Sequence, residues 1–132
     1  MMELTRKGEY AIRGMVYLAS KPDDKLVLIS DIAASVVVPQ TFLAKIFQQF
    51  SKIGIVNSYR GTGGGFSLGR SPKDITLLEI VEAVEGPIVL NRCVSKQQSC
   101  ARTSFCKVHP VWQNIQSQVR DILAKTTLND LI

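Results

Sequence analysis

Four of the chain's nine glycines fall within five consecutive residues, Gly61-Thr62-Gly63-Gly64-Gly65. A run so rich in residues that accept positive φ marks a tight reversal of the chain. On either side of it, Ile55-Val56-Asn57-Ser58-Tyr59-Arg60 and Phe66-Ser67-Leu68-Gly69-Arg70 alternate apolar and polar, as half-buried strands do. The spacing predicts one short antiparallel hairpin with arginine at both edges.

The segments ahead of the hairpin are helical. Ser30 is placed to cap a short helix over 31–35, and Pro39 to open another as its first residue. Phe42, Leu43, Ile46, Phe47, Phe50 and Ile53 form the apolar stripe of the second helix, which Gly54 ends. Two short helices joined by a tight turn make a helix-turn-helix, and a basic hairpin directly after it makes a winged one. Upstream, Tyr10, Ala11, Met15, Val16, Leu18 and Ala19 recur at helical intervals over 5–19, and Leu26-Val27-Leu28 fits a short strand. Thr76 and Glu79 have the spacing of a capping box for a helix that runs through Val84 to Gly86-Pro87. Residues 1–86 read as one self-contained DNA-binding domain.

Beyond this unit, Pro110 opens a helix in which Trp112, Ile115, Val119, Ile122 and Leu123 repeat at three- and four-residue steps, opposite a polar face. Such a stripe must be buried, either against its own domain or, more economically, against the same helix of a second copy. The expectation is a homodimer, with 110–132 as dimerisation helix and terminal turn and 87–109 as the intervening loop. The fold class expected is mainly α with a small β-hairpin wing: a winged helix-turn-helix domain plus a long C-terminal dimerisation helix.

A chain of 132 residues with 45% apolar content is large enough for one core, and no stretch has the apolar length of a membrane span. The start, Met1-Met2-Glu3-Leu4-Thr5-Arg6-Lys7, lacks the apolar core of a signal peptide, so a cytoplasmic location is expected. A net charge of +5 suits a phosphate-rich partner. In a helix-turn-helix the second helix enters the major groove of double-stranded DNA, which makes Gln40, Thr41, Lys45, Gln48 and Gln49 the candidate base-reading residues. In the wing, Arg60 and Arg70 flank a turn whose Thr62 and Gly63 let the backbone approach a phosphate. Arg6, Lys7 and Arg13 are candidate phosphate contacts. A dimer of such units would read a two-fold symmetric operator.

All three cysteines and the only histidine lie within 17 residues, as Cys93-x6-Cys100-x5-Cys106-x2-His109. An odd number of cysteines argues against a disulfide framework and for thiolate ligands or reactive thiols. Structural zinc sites are built from closely spaced pairs, and only Cys106 and His109 form one, whereas iron–sulfur clusters accept longer and less regular loops. Arg92, Lys96, Arg102 and Lys107 surround the four residues, and the helix opening at Pro110 directs its positive end toward them, so an anionic centre would be stabilised. A thiol–disulfide switch without a cluster, and a small iron–sulfur or zinc electron carrier that never touches DNA, remain open. A Cys106–His109 nucleophilic dyad has no orienting carboxylate nearby in sequence, and no enzymatic role is expected.

These residues resemble the iron–sulfur cluster regulator (IscR) group of bacterial winged-helix transcription factors over nearly the whole chain. The matching pieces are Leu4-Thr5-Arg6-Lys7-Gly8-Glu9-Tyr10-Ala11, Arg60-Gly61-Thr62-Gly63-Gly64-Gly65, the three-cysteine loop with Cys106-Lys107-Val108-His109-Pro110-Val111-Trp112, and Thr127-Leu128-Asn129-Asp130-Leu131-Ile132. The resemblance implies a homodimer with crossed C-terminal helices and a bound 2Fe–2S cluster. It implies a regulator, a repressor being the expected sense, that responds to cluster, redox or nitric oxide status. It carries over Cys93, Cys100, Cys106 and His109 as ligands and Thr41, Lys45 and Arg60 as DNA contacts. Relatives with a 4Fe–4S cluster can take a fourth ligand from an acidic residue of the first helix. Here Gly8 stands at that place and Glu9 points about 100° away around the helix, which favours His109 as the fourth ligand.

Overall fold

The computed structural model describes residues 5–22, 25–90, 94 and 105–132. Helix α1 (Arg6–Ala19) starts where the Thr5 hydroxyl accepts from the Gly8 amide, and it buries Ala11, Met15, Leu18 and Ala19. Helices α2 (Ile29–Val36) and α3 (Gln40–Lys52) form the helix-turn-helix, followed by β1 (Val56–Tyr59) and β2 (Gly65–Leu68). The strands pair antiparallel from Val56 opposite Leu68 to Tyr59 opposite Gly65. A 3-10 turn (Pro72–Asp74) leads to α4 (Leu77–Glu85), then come α5 (His109–Lys125) and a last 3-10 turn (Leu128–Leu131). This is the winged helix expected from the hairpin and the helices before it.

The boundaries move where backbone carbonyls, not side chains, begin a helix. Ser30 does not cap α2; the Leu28 carbonyl accepts from the amides of Asp31 and Ile32, so the helix begins ahead of the serine. Pro39 is not the first residue of α3 but its cap, its carbonyl accepting from the Leu43 amide at 3.0 Å. The segment around Val27 is one bridge rather than a strand, since only Val27 exchanges backbone hydrogen bonds with Phe66, at 2.9 and 2.8 Å. Two residues assigned to the α3 stripe are exposed. Ile53 lies past the last helical residue, and Phe42 packs edge-on against Tyr10, with ring centroids 5.6 Å apart.

The core is formed by Met15, Ile32, Leu43, Ile46, Phe47, Phe50, Ile55, Ile75 and Ile80 with their buried neighbours. Phe47 meets α1 at Gly14, where an added Cβ would come within 2.8 Å of its ring. The core does not close with residues 1–86 alone. Leu128, from the far end of the chain, is fully buried in it. Its segment is sewn on by the Leu128 amide to the Ile75 carbonyl at 3.0 Å and the Leu77 amide to the Thr126 carbonyl at 2.8 Å.

Val37 takes the left-handed conformation (φ 56, ψ 59) at the end of α2 with 84% of its surface exposed. A β-branched residue is strained there, and glycine is not. Val37→Gly is therefore expected to raise stability by about 1 kcal/mol, the reverse of the usual effect of glycine. Urea unfolding checks this, and a lower midpoint would contradict it.

Candidate DNA-reading face and ligand loop

The helical period sets the polar side of α3 apart from its buried side. Gln40, Thr41, Lys45, Gln48 and Gln49 are all exposed on one face, while Leu43, Ile46, Phe47 and Phe50 on the other are buried. Arg6 is exposed and Lys7 half-buried in the first turn of α1. Arg13 lies 5.9 Å from the centre of the Tyr10 ring, which itself packs on Phe42 at the start of α3. That stack ties the start of α3 to α1. At the wing tip Arg60, Thr62 and Gly63 are exposed. Arg70 differs from the sequence expectation: its guanidinium is held by Glu79 at 3.1 Å and by the Asp74 carbonyl at 3.0 Å, anchoring the base of the wing.

Of the four candidate ligands, Cys93 and Cys100 lie outside the described residues. Cys106 is a half-buried free thiol whose carbonyl accepts from the His109 amide at 3.3 Å. Helix α5 begins at His109, one residue before Pro110, so the histidine rides on the helix itself. The His109 Nδ1 is buried and has no hydrogen-bond partner among the described residues. A buried imidazole nitrogen left in that condition is costly, and coordination is one of the few ways to satisfy it. Among the described residues no group of three or more His, Cys, Asp or Glu is gathered to hold a metal, so a complete site would draw on residues beyond them. The thiol and imidazole that are described have the chemistry a soft metal centre takes.

Helix α5 is joined to α4 of the winged unit through Arg120, and sequence spacing did not signal this or the other bonds of α4. Glu79, Glu82 and Glu85 each join a different element. Glu79 holds Arg70 below the wing. Glu82 accepts from Arg120 of α5 at 2.5 Å and from the Ile88 amide at 3.2 Å. Glu85 accepts from the amide and hydroxyl of Thr5, the cap of α1. On α5, Gln116 donates to the Val94 carbonyl at 3.2 Å and accepts from the Leu90 amide at 3.1 Å. The rest of α5 is open: none of its residues is fully buried, and Val111, Ile115 and Ile122 expose 39 to 65% of their surface.

The model of the Rrf2 family, described as an iron-dependent transcriptional regulator, matches residues 4–132. An HTH-type transcriptional regulator of Aquifex aeolicus is 36% identical over 125 residues, 93% of this chain and 86% of the relative. The HTH-type transcriptional regulator IscR of Pectobacterium atrosepticum is 30% identical over 131 residues, 99% of this chain and 79% of the relative. Among solved structures, CymR, the global cysteine regulator of B. subtilis, superposes with a TM-score of 0.80 at 30% identity, covering 99% of this chain and 96% of its own. T. potens IscR superposes with a TM-score of 0.78 at 25% identity, covering 98% and 85%.

Proposed function

The chain belongs to the Rrf2 family of transcriptional regulators, and we propose that it is a homodimeric DNA-binding repressor gated by an iron–sulfur cluster. Cys93, Cys100, Cys106 and His109 hold that cluster, in 2Fe–2S form. The observation that carries the reading is the buried Nδ1 of His109, without a hydrogen-bond partner among the described residues, at the head of the helix and three residues from the free thiol of Cys106. When bound, the cluster supplies a centre whose charge and ligation change with oxidation.

The rest is done by the chain's own side chains. Gln40, Thr41, Lys45, Gln48 and Gln49 read base edges in the major groove, and Arg6, Lys7, Arg60, Thr62 and Gly63 meet the backbone. The open apolar side of α5 packs on the same helix of a second copy, which sets two reading heads on a two-fold symmetric operator. Ordering of the loop over 87–109 biases α5, and α5 biases α4 and the wing through Arg120, Glu82, Glu79 and Arg70.

Anaerobically purified protein should be coloured, and Cys106→Ala should lose the visible absorption while keeping its helix content. A colourless protein with stoichiometric zinc would sink the cluster. The likeness to CymR favours a second reading, a thiol switch on the same residues. A colourless, metal-free protein whose DNA affinity changes on reversible disulfide formation would establish it in place of the first.

A further inference from the structure

Gln116 of α5 is bonded to the segment that enters the cysteine loop at two points, Leu90 and Val94. Its Oε1 accepts from the amide of Leu90 and its Nε2 donates to the carbonyl of Val94, at 3.1 and 3.2 Å. In sequence those two residues bracket Cys93. Gln116 also stands seven residues after His109, about 20° from it around the helix, so the two share a face of α5. One turn further on, Arg120 reaches Glu82, which also accepts from the amide of Ile88.

A primary amide suits this place, because it offers a donor and an acceptor on one planar group. Alanine could do neither, and a carboxylate could only accept. The half-buried setting makes both bonds worth keeping, since the peptide groups they satisfy would otherwise lose partners.

We infer that Gln116 is a positioning residue for the ligand site: it clamps the chain on both sides of Cys93 to the helix that carries His109. The residues that flank Cys93 in sequence are thereby referred to the helix that carries His109. This rests on the proposed cluster-binding function, though the clamp itself does not require a cluster to be present. A group that orients a ligand in this way typically moves affinity about tenfold or more when removed.

The test uses the full-length protein in two variants, Gln116→Ala and Gln116→Glu. In the metal-free state, hydrogen exchange at the Leu90 amide should speed up about tenfold in Gln116→Ala and stay near the parent rate in Gln116→Glu, which keeps the acceptor. After anaerobic reconstitution, visible absorption should bleach about tenfold faster under a chelator in Gln116→Ala, with the thermal midpoint nearly unchanged. Unaltered Leu90 exchange in Gln116→Ala overturns the clamp. Faster exchange with an unaltered bleaching rate leaves Gln116 a structural residue and overturns its role in positioning. If the parent protein takes up no cluster at all, the proposed function fails instead, and the positioning role falls with it while the exchange data still judge the clamp.

Discussion

Leu128→Ala is expected to destabilise the protein by about 3 kcal/mol, a large loss for a residue four positions before Ile132. The side chain is fully buried in the main core, so its removal loses apolar contact and leaves a cavity. The stitches beside it depend on that anchor. The Leu77 amide donates to the Thr126 carbonyl and Thr76 bridges Thr127, while Thr127 and Asp130 close a capping box around the terminal turn. With the anchor gone, the end of α5 should lift from the winged unit, and hydrogen exchange at the Leu77 amide should rise with it. Urea unfolding and exchange check the two halves. A cost under about 1 kcal/mol would place Leu128 at the surface and detach α5 from the core.

Gly64→Val should weaken DNA binding about tenfold or more while leaving the helices intact. A Cβ at Gly64 would come within 2.4 Å of the Tyr59 carbonyl and 2.9 Å of the Gly61 carbonyl, both backbone atoms that cannot step aside. The hairpin could not close as it stands, and Arg60 and Thr62 would leave their places at the wing tip. Gly61→Ala is the control. A Cβ there meets nothing within 4 Å, so the cost is the strain of its positive φ, about 1 kcal/mol. Fluorescence anisotropy on a duplex operator, with circular dichroism for the helices, distinguishes the two. Equal affinities for Gly64→Val and the parent would remove the wing from the interface.

The main features of the fold were legible because they rest on local rules. Thr76 and Glu79 form the capping box their spacing announces, and the glycine run turns the hairpin between strands shortened by one or two residues. Starts without a side-chain signal were missed, as at Leu28 and Pro39, where carbonyls take the first amides. Phe42 shows the limit of periodicity: it falls on the stripe by counting, yet a neighbouring Tyr10 ring draws it to the rim. Long-range partners had no local signal at all. Nothing around Leu128 in sequence says that it returns to Ile75, and nothing in the glutamates of α4 tells which partner each will meet. The ligand loop was legible as chemistry through its residue types, and the structure adds the buried nitrogen of His109 to Cys106 beside it.

The central claim is that the state of the cysteine–histidine site sets DNA affinity. The direct measurement is anisotropy titration of a labelled two-fold symmetric operator, selected from genomic fragments, at one fixed salt concentration. Anaerobically reconstituted protein and the same preparation stripped by chelation are compared, with Cys106→Ala as reference. The expected result is an affinity difference of about tenfold between the two states, collapsing to a single value in Cys106→Ala. Equal affinities in both states, or binding no tighter than to an unrelated duplex, would contradict it.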